Sequence, residues 1–447
     1  MDTHLIDSEI FGHQWASTES RAIFAEKARV TRWLEIVIAL ARAQAECGII
    51  PTESAEKIAQ LRGVELPIGE IGTRTRETSH STLGMIQVLR GMLPGEAAEH
   101  IYYGTTVQDI TDTSQVIELL AVGALLWRDL WWIEDALLQL AIRHRLTPMA
   151  GRTHGQPGAP ISFGFKVASW ADEIGRHLQR LHDGHNRWRV GQLGGAVGTL
   201  AFFGDRALDL RAAFCRQLSL GEPDVSWLCA RDRLAEFSHV VAMCVSSLAR
   251  IANEVYALQR REIGELAERT RASVVGSITM PHKRNPEVSE QIVTLARLVR
   301  SQASVLTDTM VNEHERDGRN WKAEWVVFPE ICHFALAATT MARELVSGLE
   351  VNSDAMGRNL GVNSSSERLL SAMSVRLGKH RAQGLLQDAY RQAHEEQRDL
   401  SAVLIGVATE AELAELSHVN IGASGLMVDR VVDTALRRRA SESEQWQ

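Results

Sequence analysis

The chain has 447 residues, 45% of them apolar, and a formal net charge of −8. That length suggests about three domains, and the apolar share supplies a large core and excludes a mainly disordered chain. No polybasic run points to nucleic acid, no basic-then-apolar leader opens the sequence, and no uninterrupted apolar run approaches the roughly 20 residues of a membrane span. A cytoplasmic protein without nucleic-acid or membrane partners is expected. Its cysteines, Cys47, Cys215, Cys229, Cys244 and Cys332, form no Cys-x-x-Cys and read as buried thiols in a reducing compartment.

Residues 1–105 read as short helices and turns. Apolar residues at helical spacing over 24–47 stop at Gly48, with Pro51 beyond. Pro67, Gly69 and Gly72 mark a break, and a polar knot, Glu77 to Ser81, precedes an apolar helix at 83–92. His80 in that knot is either a neighbour of the helix cap or a ligand for substrate. The hydroxyl-rich stretch Gly104 to Thr113 suits a helix N-terminus, which also receives anions. From there to Thr147 no proline occurs, and one helix of roughly 40 residues, about 60 Å long, is predicted.

The stretch Met149 to Pro157 is expected to break that helix as a loop carrying Arg152, Thr153, His154 and Gln156. A second long helix follows over 162–189. The glycines of 191–199 lack the Rossmann spacing and a preceding strand, so a tight interhelical turn is expected there and not a phosphate loop. Leu234, Phe237, Val241, Cys244, Leu248, Ile251, Val255 and Leu258 alternate steps of three and four, a heptad seam. Further helices are predicted from Pro286 past Met310 and over 326–349, and a smaller helical domain over 364–439. No period-2 stretch requires a large sheet. The predicted fold is all-α, with an N-terminal helical domain at 1–105, a long-helix bundle at 106–350 and a C-terminal domain at 351–447. Helices about 60 Å long expose more apolar side than one chain covers, so the faces at 124–140 and 234–258 are expected to pack against copies of themselves, most simply in a homotetramer with a shared central bundle.

Chemistry is expected where loops interrupt the long helices. Ser277, Lys283 and Asn285 lie within nine residues, and Glu290 follows on the next helix. A hydroxyl, an ammonium and an amide are the parts needed to hold a carboxylate and move a proton beside it. No metal-ligand spacing and no nucleophile elbow occur, so acid–base chemistry without cofactor or metal is expected.

The run Gly276-Ser277-Ile278-Thr279-Met280-Pro281-His282-Lys283-Arg284-Asn285-Pro286 closely resembles the signature of the fumarase/aspartase superfamily of lyases. Gly104-Thr105-Thr106-Val107-Gln108-Asp109 resembles that family's Thr-Ser-x-Asp region, and Arg152-Thr153-His154-Gly155-Gln156 its Thr-His region, in the same order over nearly the whole chain. The branches most resembled are adenylosuccinate lyase and 3-carboxy-cis,cis-muconate cycloisomerase. The resemblance implies three helical domains, a tetramer, active sites built by three subunits, and stepwise β-elimination from a small di- or tricarboxylate. It implies Ser277 as base, His154 as general acid paired with Glu290, and Lys283, Asn285, Thr106 and Thr153 on the reacting carboxylate. Met280, Gln156, His80 and Arg316 complete the substrate contacts expected on that basis.

Departures refine the substrate. Val107 stands where the family carries serine, Tyr102 where the adenylosuccinate branch carries histidine, and Ser81 where it carries aspartate. After His314-Glu315-Arg316-Asp317, Trp321 and Trp325 replace the serine and arginine of that branch's phosphate site, and indoles do not bind phosphate as a hydroxyl and a guanidinium do. A lyase cleaving C–N, or else C–O, in a succinate without phosphate is expected. The cycloisomerase is the second possibility, and a non-catalytic lyase-fold binding protein the third.

Overall fold

The computed structural model describes residues 4–269, 277–280, 282–361 and 365–447. Five long helices form its centre: Val107–Arg143, Phe163–Trp188, Asp232–Leu258, Glu287–Asp308 and Gly318–Ser347. The first has 37 residues and is about 55 Å long. The fourth stops at Asp308, short of the predicted passage beyond Met310. Extended structure among the described residues consists of two two-stranded sheets, Pro148–Thr153 with Gln156–Ser162 and Leu266–Ala267 with Glu350–Val351, and two isolated bridges, Val190 with Gly221 and Ile405 with Ala408.

The main core runs along the bundle. Trp127, Leu130 and Leu137 meet Trp170 and Leu178, Phe237 and Leu248, Leu295 and Val299, and Phe328 and Ile331. Each such side chain stabilises by about 1.5–3 kcal/mol when fully buried. The seam from Leu234 to Leu258 is buried throughout, but against this chain's own helices. The expectation that it packs on a copy of itself is therefore corrected: five helices in one chain already enclose that stripe. Trp127, Leu130 and Leu137 are enclosed in the same way. Asp232–Leu258 and Gly318–Ser347 are long and apolar enough to cross a membrane, but 72% and 61% of their most apolar windows lie buried in the fold.

A second cluster joins Leu34, Ile38, Met85 and Leu89 to Leu210 and Phe214. Here the predicted break at Gly69 and Gly72 is overturned, because both lie inside the helix Ile68–Thr78. Packing outweighs glycine's poor helix propensity: Ile71 is buried, and Gly84 of the next helix comes so close that a Cβ there would lie 2.7 Å from the Ile71 carbonyl. The pattern over 24–47 resolves into two helices, Thr18–Phe24 and Glu26–Glu46. A third cluster gathers Leu369, Met373, Leu386 and Leu404.

Buried charge ties the bundle together. The Arg231 guanidinium donates to Asp112 at 2.7 Å and to Glu324 at 2.8 Å, with all three groups buried. Burial pushes the Glu324 carboxyl up, while Arg231 pulls it back. Trp321 donates its indole N–H to Asp112 at 3.0 Å, so one of the two indoles noted in the sequence serves this network.

The last helix, Ser424–Ser441, docks on the bundle. Arg439 donates to the buried Glu134 at 2.9 Å and stacks over Trp131 at 4.4 Å. Beyond it, Trp446 donates to the Leu181 carbonyl at 3.0 Å, and Trp127 donates to the Glu444 carbonyl at 3.1 Å. The Trp446 ring fills a notch that only glycine leaves open, since a Cβ on Gly123 would lie 2.1 Å from it. Trp446→Ala is expected to destabilise the protein by about 2–4 kcal/mol, read as a lower melting temperature; an unchanged melt would show that the tail does not brace the bundle.

His333 is buried, and its Nδ1 lies 2.9 Å from Ser20 Oγ. Burial lowers its pKa from 6.5 to about 4, so it is neutral in the fold and charged in the unfolded chain between those values. Its contribution, up to roughly 3 kcal/mol, is present above pH 6.5 and lost as pH falls towards 4. Melting temperature measured over that interval should fall less steeply for His333→Gln than for the unaltered chain.

Candidate active site

The first predicted region begins the Val107–Arg143 helix. Asp109 is buried, and its carboxylate accepts backbone N–H groups from Thr106 at 3.0 Å, Gly194 at 2.7 Å and Gly195 at 3.1 Å. The glycine-rich turn at 191–199 thus cradles this chain's own carboxylate, at a bend where Gly195 has φ +66°. Burial pushes Asp109 up to about 7 against those three donors. Arg316 donates to Thr106 Oγ1 at 2.9 Å and to the Gly195 carbonyl at 3.3 Å. Its Nε is buried without a partner among the described residues.

The second region is a β-hairpin, not the predicted loop. Pro148–Thr153 pairs with Gln156–Ser162, and Thr153 lies opposite Gln156. The connecting residues are His154 at φ 52° and Gly155 at φ 75°, the paired positive φ of a tight hairpin turn. Thr153, His154 and Gln156 stand exposed at its tip. Arg152 roots the hairpin by a two-pronged contact with the buried Glu265 at 2.8 and 2.6 Å, and Asn359 donates to the same carboxylate at 2.8 Å.

Of the third region, Gly276 and Pro281 lie outside the described residues. Ser277 Oγ accepts the Met280 N–H at 3.1 Å, and Met280 is itself largely exposed. The segment is then pinned from below. Gln259 donates to the Arg284 carbonyl at 3.1 Å, and Arg284 donates to the Glu268 carbonyl and to Glu350, both at 3.1 Å. The Glu268 carboxylate accepts the N–H groups of Val288 at 3.2 Å and Ser289 at 2.7 Å, capping the Glu287–Asp308 helix. Lys283, Asn285 and Glu290 line one cavity of about 1230 Å³, with Arg260, Arg261 and Asp354.

His80 lies elsewhere. Its Nδ1 accepts the Leu83 N–H at 3.3 Å, the capping role weighed from sequence. It also lines a cavity of about 680 Å³ with Trp33, Lys322 and Trp325. Trp325 is half-exposed and meets Trp321 edge to face at 4.7 Å.

The structure therefore joins Thr106 to Arg316, keeps Thr153, His154 and Gln156 on one turn, and gathers Lys283, Asn285 and Glu290 in one cavity. It does not gather all three groups within one chain. Thr106 and Arg143 are at opposite ends of a helix about 55 Å long. The eleven residues from Arg143 to His154 span at most about 40 Å, which leaves Thr106 and His154 at least roughly 15 Å apart. Among the described residues neither the Glu290 carboxylate nor the His154 ring has a hydrogen-bond partner, so the pair expected from sequence is not made within one chain. Glu265, Glu268, Gln259 and Glu350 carry the framework and were not singled out from sequence; no local pattern says which donors a lone acid will meet.

A bundle of long helices bearing these three segments defines a class. A family model described as lyase matches residues 13–300, and the chain belongs to the fumarase/aspartase superfamily of lyases. Among individual relatives, it is 37% identical to N-acetyl-S-(2-succino)cysteine lyase of Dickeya dadantii, over 91% of this chain and 90% of that one. It is 35% identical to 3-carboxy-cis,cis-muconate cycloisomerase of Pseudomonas aeruginosa, over 96% and 93%. The crystal structure of the 3-carboxy-cis,cis-muconate lactonizing enzyme from Pseudomonas putida superposes with a TM-score of 0.88 at 32% identity, covering 96% of this chain and 99% of that one.

Removing the cap should loosen the third segment without unfolding the bundle. Glu268→Ala is expected to cost about 1–2 kcal/mol, seen as faster amide exchange at 287–290. Unaltered exchange there would show that Glu268 does not hold the segment.

Proposed function

We propose that the protein is a lyase that removes a sulfur or nitrogen substituent from a 2-substituted succinate and leaves fumarate, without a cofactor. The observation that carries this reading is the Ser277–Asn285 segment, with Lys283, Asn285 and Glu290 lining one cavity. Lys283 and Asn285 hold the carboxylate of the carbon to be deprotonated. Ser277, as alkoxide, takes a proton from that carbon, and the charge spreads onto the clamped carboxylate as an aci-carboxylate. The bond from the neighbouring carbon to sulfur or nitrogen breaks, and His154 gives the departing atom a proton. Products are fumarate and the free thiol or amine, and each proton is accounted for. Glu290 steadies the protonated imidazole, while Thr106, Thr153, Gln156 and Met280 line the dicarboxylate.

Carbon–nitrogen cleavage was the expectation from sequence. The Dickeya dadantii relative, named for an S-succino substrate, favours sulfur. A leaving group without phosphate is supported by Trp321 and Trp325 standing where the adenylosuccinate branch carries serine and arginine; the cavity beside His80 has Trp33 and Trp325 in its walls together with Arg29, Arg76 and Lys322. Arg316, fixed on Thr106, meets a second carboxylate. The separation of Thr106 from His154 supports a homotetramer in which several subunits complete each site, with domains at 1–105, 106–350 and 351–447. A second reading is the cycloisomerase, favoured by the 35% identity over 96% of this chain.

Purified protein should release fumarate, followed by its absorbance, from N-acetyl-S-(2-succino)cysteine or an N-substituted succinate, and leave carboxymuconate unchanged. Ser277→Ala should lower kcat by about 10²–10⁴-fold with little change in KM. Turnover of carboxymuconate alone would establish the second reading. Full activity of Ser277→Ala would end both.

A further inference from the structure

Asp109 and Arg316 grip the same two residues from opposite sides and close a ring of hydrogen bonds. On the inner side, the buried Asp109 Oδ2 accepts the Thr106 N–H at 3.0 Å and the Gly195 N–H at 3.1 Å. On the outer side, Arg316 Nη1 donates to Thr106 Oγ1 at 2.9 Å, and Nη2 donates to the Gly195 carbonyl at 3.3 Å. Asp109 Oδ1 takes the Gly194 N–H at 2.7 Å, which ties the turn down a second time. Every member of the ring belongs to this chain.

The ring fixes a plane as well as a position. A guanidinium is rigid and flat, so two donors held at two points set the direction of the rest. The backbone beside it is held separately, because Asp317 accepts the Arg319 N–H at 3.0 Å at the start of the Gly318–Ser347 helix. The flexible stem of Arg316 is thus restrained at both ends.

The charge on Asp109 closes the ring. An ionised carboxylate only accepts, whereas a protonated one carries a donor that would face N–H groups. Thr106 or one of the glycines must then turn away. Two ionisable groups face Asp109 from the segments around it: Arg316, from the connection at 309–317, and the Tyr102 phenol, from the segment before the helix. The turn at 191–199 brings no titratable side chain. Burial pushes the phenol up to about 12, so it stays neutral. Burial also raises Asp109 from 3.8 to about 7, so the carboxylate is charged above that pH and loses its charge below it.

We propose that Asp109 is a positioning residue for substrate recognition: through Thr106 and Gly195 it aims Arg316 at the second carboxylate, and so sets a preference for a dianion over a monoanion. This rests on the lyase reading above, in which Arg316 meets that carboxylate. Asp109 itself touches no substrate.

Titration calorimetry of the full, assembled protein tests it, with fumarate in one arm and the monoamide of fumarate in the other. Fumarate should bind at least about tenfold more tightly than its monoamide. Asp109→Asn sets an amide N–H₂ against backbone N–H groups and should bring the two affinities to within about threefold. Arg316→Gln should do the same, and the double variant should lose no more than either alone. A role in folding alone would weaken both ligands alike. If Asp109→Asn melts early, the unaltered protein carries the comparison. Its preference for fumarate should fall as pH drops through about 7, where both carboxylates of fumarate stay ionised; charging of a histidine would move the preference the other way. A folded Asp109→Asn protein that keeps the preference would overturn the proposal and leave the lyase reading intact. So would a level preference across that pH, or equal binding of the two ligands, in the unaltered protein. No binding of fumarate by the unaltered protein would end the lyase reading, and the proposal with it.

Discussion

Three carboxylates anchor the segments that carry the chemistry. Asp109 holds the start of the first long helix to the turn at Gly194 and Gly195. Glu265 receives the hairpin through Arg152. Glu268 caps the helix that begins after the Ser277–Asn285 segment. In each case a fixed acid accepts donors that would otherwise be unsatisfied, and an unpaired buried charge would cost about 3–5 kcal/mol. The division of labour is consistent: acids fix the segments from behind, while His154 and Lys283 remain available to solvent or to another chain.

The long helices then act as spacers. A helix of 37 residues keeps the first segment and the hairpin from meeting around one small molecule in one chain. A dicarboxylate is only about 6 Å long, so on the proposed reading the missing groups come from other copies. The exposed turn at His154 and the Glu290 carboxylate, without a hydrogen-bond partner among the described residues, fit that arrangement, because each offers a polar group. Buried charge inside the bundle, Arg231 between Asp112 and Glu324, keeps the spacers in register.

Much of this was legible in the residues. The periodicity of Leu234 to Leu258 marks a buried helix stripe, but periodicity says only that a stripe is covered, not by what; neighbouring helices of the same chain cover it. Gly155 and Pro157 read as loop formers, yet a two-stranded hairpin tolerates them at its open edge, and the tight turn needs the positive φ that His154 and Gly155 adopt. Gly69 and Gly72 read as breakers, and a close contact through Gly84 overrides them. The glycines of 191–199 read as a tight turn, and the partner of that turn, Asp109, lies more than eighty residues earlier, beyond any local pattern. Trp321 was read as a lost phosphate ligand, and its bond to Asp112 became visible only in three dimensions.

The composite site is open to a direct measurement. Ser277→Ala and His154→Gln chains, each inactive alone, are produced together in one cell under two different tags, and assemblies carrying both tags are isolated. If different chains supply the serine and the imidazole, some sites in these mixed assemblies hold both intact residues, and fumarate release returns to a sizeable fraction of the unaltered rate. Mixed assemblies as inactive as either parent would contradict the account.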